Sequence, residues 1–183
     1  MNYYGSQELA NSFRTVRKNT LVVAEEIPEQ HYGFRAAPDT RTVAEILVHL
    51  AVMPQLPKQV QFLERRSTLV GFDFFAFMSM LKAEEQSKRS KAEIMELLRS
   101  GGEEFANLLE GSSEEFLGQR VVYPPGMTPA SKSRFEMLMS IKEHEMHHRA
   151  QLMLIERILG IVPHLTREML ARIAAIQAQK GGV

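Results

Sequence analysis

The chain has 183 residues, 44% hydrophobic and 24% charged, with 22 Lys+Arg against 22 Asp+Glu and no cysteine. That length is enough to bury a proper core as one domain, residues 1–183. The balanced charge gives no electrostatic reason to expect DNA, RNA or an anionic membrane as partner, and the missing thiols exclude disulfides, thiolate-ligated zinc and a cysteine nucleophile.

No run approaches the eighteen or so apolar residues of a membrane span, and residues 1–8 hold no apolar signal core. The expected location is the cytoplasm. Residues 6–27 read as a helix: Leu9, Phe13, Val16, Thr20 and Val23 recur at three and four, with Arg14, Arg17 and Lys18 on the other side. Pro28 ends it. Residues 28–40 read as a loop, with His31 as a surface residue. Thr42 with Glu45 forms a capping box for a second helix, whose apolar side is Val43, Ile46, Leu47, Leu50 and Met53. His49 falls on that side and is expected to face inward. Pro54 and Pro57 predict a kink or restart, with helix continuing to about Arg66.

Four phenylalanines crowd residues 71–78. The segment reads as a short buried helix or loop plugging the bundle, or as a pocket wall or subunit contact. Ser90 with Glu93 caps the next long helix, with its stripe at Ile94, Leu97, Leu98, Phe105, Leu108 and Leu109. Gly101-Gly102 inside it implies a break or a close helix approach, since each glycine costs about 1 kcal/mol relative to alanine. Residues 111–132 read as a loop, with a short extended piece at 119–123.

Ser133 and Glu136 cap a helix running to about Leu159, and Gly160 and Pro163 end it. Half of the six histidines lie here. A helix advances roughly 100° per residue, so Met137, Ile141, Leu152, Ile155 and Leu159 share one face. His144 and His148, one turn apart, fall on it or at its edge, and His147 lies on the flank. Met139, Met146 and Met153 form a second stripe that needs its own cover, from the last helix or from a second subunit. A last helix over residues 166–179 places Met169, Leu170, Ile173 and Ile176 inward. His164 in the preceding turn is assigned no role, and Gly181 and Gly182 are expected to fray.

These elements make a mainly antiparallel all-α four-helix bundle with an additional C-terminal helix. Bundles of this kind place metal sites in the core from facing helices. His49, His144 and His148 supply three imidazoles from two helices, suited to one divalent ion such as zinc, nickel, copper or iron. Three ligands with an open position is the pattern of a reactive metal that lowers the pKa of bound water or thiol. With no cysteine in the chain, a thiolate nucleophile has to come from a small-molecule cosubstrate. His144-Glu145-Met146-His147-His148 also satisfies the zincin H-E-x-x-H spacing. The third ligand candidate, however, lies about ninety residues upstream, and no strand-rich protease scaffold is visible. Glu145 or Glu143 acting as base beside a metal would make a hydrolase; Glu145 lies roughly 100° round from His144 and points partly away.

The stretch Thr42-Val43-Ala44-Glu45-Ile46-Leu47-Val48-His49-Leu50, followed by His144-Glu145-Met146-His147-His148-Arg149-Ala150-Gln151-Leu152, resembles the DinB/YfiT-like family. Ala150 stands where the family usually has glycine. The resemblance spans residues 8–176 and implies an up-down-down-up bundle, often a homodimer. It implies a divalent metal, zinc or nickel above all, on His49, His144 and His148. It also implies, for the characterised relatives, a low-molecular-weight-thiol-dependent S-transferase taking a small thiol and an electrophilic substrate. A metal-dependent hydrolase and a non-catalytic, stress-related metal-binding protein are the alternatives. No catalytic side chain beyond the metal ligands is assigned.

Overall fold

A computed structural model describes residues 4–180, the side chain of Lys180 excepted; Gly181 and Gly182 lie outside the described residues. Helix α1 (Ser6–Glu26) leads through a 3-10 turn (Glu29–His31) to α2 (Val43–Val52). A three-residue helix α3 (Gln55–Pro57) and a π-helical turn (Lys58–Leu63) continue α2 past the two prolines. Proline cannot donate its backbone hydrogen bond, so the chain here widens and bends instead of extending as a regular α-helix. After them come α4 (Phe74–Gln86), α5 (Lys91–Glu110), the short α6 (Glu114–Gly118), a hairpin of β1 (Arg120–Val122) and β2 (Ser131–Ser133), α7 (Arg134–Ile158) and α8 (His164–Lys180). The two strands pair antiparallel with Val121 opposite Lys132. The capping boxes at Thr42, Ser90 and Ser133 all form.

The directions of the long helices follow from two buried clusters. One gathers Leu9 and Phe13 of α1, Phe105 and Leu109 of α5, and Leu138 and Ile141 of α7. The other gathers Val23, Val43, Leu47, Ile94, Leu98, Leu152 and Ile155. Helices α1 and α7 therefore run from the first cluster to the second, whereas α5 runs the opposite way, as does α2, which lies in the second cluster and whose continuation brings Phe62 against the first, giving up-down-down-up. Two consecutive helices in the same direction need a return path between them, and α4 is that path.

Arg17 is buried, not on the solvent side of α1. Its guanidinium makes a two-pronged ion pair with Glu145 of α7, at 2.8 and 2.9 Å. It also donates to the carbonyls of Leu98 and Leu50, at 2.6 and 2.9 Å. One side chain thus ties the four long helices together. Gly101 and Gly102 leave α5 unbroken because they are a close approach: a Cβ on Gly102 would lie 2.9 Å from Arg17 Cγ.

The Phe-rich segment is no buried plug. Phe75 is 83% exposed and Phe74 47%, while Phe72 and Phe77 are partly buried. In α8, Met169, Leu170, Ile173 and Ile176 are exposed instead of inward. The helix is held at its start, where Arg167 pairs with Glu26 and Arg157 donates to Thr166 at 2.8 Å, and its apolar row does not cover the methionines of α7. Met139 and Met153 pack against the two core clusters, and Met146 is exposed.

Candidate metal centre

His49 comes from the last turn of α2, a helix that the capping box starts at Thr42 and that the apolar run from Val43 to Met53 buries on nearly every side. His144 and His148 project from the middle of α7, one turn apart. The three rings meet with centroids 4.6 to 4.9 Å apart. One ring nitrogen of each lies within 4.8 Å of the others. His49 Nε2 and His144 Nε2 are 3.1 Å apart. Two nitrogens bound to one tetrahedral ion at 2.0–2.1 Å stand about 3.3 Å apart, so the pair already has the spacing of two ligands.

The residues around the rings set their orientation and protonation. Glu85, near the end of α4, accepts a 2.6 Å hydrogen bond from His49 Nδ1. A carboxylate can only accept here, so Nδ1 carries the proton and Nε2 keeps its lone pair toward the other rings. Arg41 in turn donates to Glu85 at 2.7 Å. Gln151 accepts from His148 Nδ1 at 2.8 Å, and its amide nitrogen lies 3.2 Å from His147 Nε2. His147 is therefore outside the trio and holds the group that orients His148. Buried Nδ1 of His144 has no hydrogen-bond partner, so that ring is held by packing and by its Nε2 contact with His49.

Burial pushes the basicity of all three imidazoles down. His144 drops to about 4, through burial first and then the neighbouring His148 and His49. His49 is lowered mainly by burial, against the opposing pull of Glu85, and His148 by burial, against the hydrogen bond to Gln151. Rings that stay neutral keep lone pairs free for a cation. Three converging neutral imidazoles, two with their outer nitrogens anchored, fit a divalent ion.

His148 lines a polar cleft of ≈ 620 Å³ with Arg35, Arg41, Lys82, Glu85 and Gln151. Glu145 is turned away into its pair with Arg17 and does not face the trio. Glu143 is exposed. His31 joins no cluster with the trio. His164 is buried at the start of α8, its Nε2 3.4 Å from Asn19 Oδ1, likewise apart from the trio. Sequence reasoning missed Glu85 and Arg41. They lie 36 residues after and eight before His49, and only the return path of α4 brings the carboxylate to the ring.

No helix among the described residues is long and apolar enough to cross a membrane. Comparison with curated proteins gives no match. Among solved structures, the chain is similar to a DinB-like protein, YjoA, from Bacillus subtilis. The identity is 20% over 84% of this chain and 92% of that one, with a TM-score of 0.60. It is also similar to YfiT from Bacillus subtilis, described as a probable metal-dependent hydrolase with an unusual four-helix bundle topology. There the identity is 15% over 88% of this chain and 91% of that one, with a TM-score of 0.67. At these identities the likeness speaks for the fold. Residues 12–152 match the profile of the DinB superfamily, and the chain belongs to that superfamily.

Proposed function

We propose that this chain is a divalent-metal-dependent S-transferase. His49, His144 and His148 would hold the ion, zinc or nickel, and a low-molecular-weight thiol would be the cosubstrate. The observation that carries this reading is the state of two buried carboxylates, one beside the trio and one on the same helix but turned away from it. Glu85 is committed to His49 and Arg41, and Glu145 to Arg17. Neither is free to serve as a general base. A thiol needs the least help of the common nucleophiles, because its ordinary pKa of about 8.5 is already close to neutrality.

A divalent ion bound there supplies the Lewis acidity that lowers that pKa further. The chain's own residues do the rest. The three neutral imidazoles add no negative charge to offset the ion. The cleft in which a polar thiol cosubstrate would be held is lined by groups of both signs, Lys82 and Asp39 beside the pairs Arg35–Glu45 and Arg41–Glu85. The thiol proton leaves through this open cleft, and the sulfur forms its bond to the electrophilic carbon as the leaving group departs with the bonding pair.

Hydrolysis is the second reading, and the likeness to YfiT favours it. The exposed apolar row of α8 supports a homodimer in either case. The cobalt-loaded protein, titrated with cysteine and 2-mercaptoethanol, decides between the chemistries. A sulfur-to-cobalt charge-transfer band is expected. A loaded centre whose spectrum no thiol alters, together with ester hydrolysis, would overturn the transferase reading in favour of the hydrolase.

A further inference from the structure

The trio lies between two cavities, and three helices run past both. Helix α2 contributes Ile46 to the polar cleft and, beyond His49, its continuation gives Leu56, Pro57 and Val60 to a second pocket. Helix α7 gives Met137, Ser140 and Ile141 to that pocket and, past His144, gives His148, Gln151 and Ile155 to the cleft. Helix α4 and the loop before it lead from Phe72 and Phe74 in the pocket to Lys82, Glu85 and Gln86 in the cleft. Each helix thus passes from one cavity to the other, with His49 and His144 between.

The second pocket has a volume of ≈ 200 Å³. Its polar neighbours are mostly satisfied elsewhere. Gln61 is turned to Arg134 and to Met137 Sδ, and the Ser140 hydroxyl donates to the Met137 carbonyl at 2.6 Å. What remains is hydrocarbon and aromatic wall, with Tyr123 and Lys132 as further polar groups in the lining. The wall is fastened. Leu69 N–H donates to the Val122 carbonyl at 2.8 Å and Val122 N–H to the Ser67 carbonyl at 2.9 Å, and Arg134 donates to the carbonyl of Arg66 at 3.0 Å. Water gains little in such a space, whereas an apolar cavity of about 150 Å³ is enough to take benzene.

We infer that this pocket binds the apolar part of the second substrate, a single aromatic ring or a branched alkyl group of similar size, beside the centre that holds the thiol. The assignment rests on the reaction proposed above. The size of the pocket admits one substituted ring, and its lining residues Ser140 and Ile141, about one turn before His144 on α7, set that ring on the His144 side of the centre. The polar cosubstrate belongs to the cleft on the other side.

Toluene is the probe, with the protein carrying 13C-labelled methionine methyl groups and the Met137 signal assigned through Met137→Leu. Titration is expected to move the Met137 methyl resonance saturably. Leu69→Trp, which fills the pocket, should abolish that response. Phe74→Ala, at a half-exposed position that the fold tolerates, should weaken it roughly three- to tenfold. With cobalt at the histidines, bound toluene protons should relax faster in the native chain and not in His148→Ala. If Met137 stays unmoved up to the solubility limit of toluene while cobalt still binds, the pocket assignment is overturned and the metal reading stands. If Met137 responds but no divalent ion is retained, the pocket binds apolar rings and its assignment to the reaction falls with that reaction.

Discussion

Replacing Glu85 tests how the trio is held. Its buried carboxylate, at the edge of the cleft, is held by His49 Nδ1 at 2.6 Å and Arg41 Nε at 2.7 Å. The first contact fixes the proton on Nδ1 and leaves Nε2 free to bind. In Glu85→Ala, His49 loses that constraint. Its ring can then turn or adopt the other tautomer, which puts the proton on Nε2 and takes away the lone pair an ion needs. Loss of such an orienting partner costs 10- to 100-fold in metal affinity, or about 1.4–2.7 kcal/mol. Glu85→Gln keeps an acceptor for His49 but loses the charge that holds Arg41, so it should fall near tenfold, and alanine near a hundredfold. Competition titrations of zinc against a chromophoric chelator read this directly, with circular dichroism as the check on folding. If both variants bind zinc within about threefold of the native chain, Glu85 does not orient His49 and the reasoning is wrong.

Glu145→Ala should be costly for folding and nearly silent at the metal. It strands the buried Arg17 guanidinium, a loss of about 3–5 kcal/mol, measurable by urea unfolding. Zinc affinity should stay within a few-fold, and a larger loss would place Glu145 in the centre after all. Glu156 is fully buried with both oxygens unpartnered, and burial, with Glu26 nearby, pushes its pKa up to about 7. A carboxyl raised from 4.5 binds its proton more tightly in the folded chain. Its stabilising protonated form is present below about pH 4.5, and stability is lost as pH rises through 7. At 1.36 kcal/mol per unit that amounts to about 3 kcal/mol by pH 8. The stability gap between the native chain and Glu156→Gln should therefore shift by about that much between pH 4.5 and 8, and a pH-independent gap would refute it. Sedimentation should give a dimer that Ile173→Glu converts to monomer; a monomeric native chain would leave the apolar row of α8 without this explanation.

The helix starts were legible because their signals are local: a Thr or Ser with Glu three residues on closes a cap whatever lies around it. The histidines were legible because His49 sits within an apolar run and His144 and His148 share a helix face. Arg17 was misplaced because a cation flanking an apolar stripe looks solvated until its partner is known, and Glu145 lies 128 residues away. The row Met169, Leu170, Ile173 and Ile176 was misplaced for a related reason. Amphipathicity says that a face wants cover and does not say that this bundle supplies it. Glu85 had no local signal, since its meaning comes from α4 running back along α2. The helical wheel turns Glu145 partly away from His144, and its pairing with Arg17 agrees.

The most direct test is the metal content of protein purified without an affinity tag, by elemental analysis, for the native chain and for His49→Ala and His148→Ala. The account predicts about one divalent ion per native chain and loss of that ion in both variants. Full occupancy in both variants, or no ion in the native chain even after reconstitution, would contradict it.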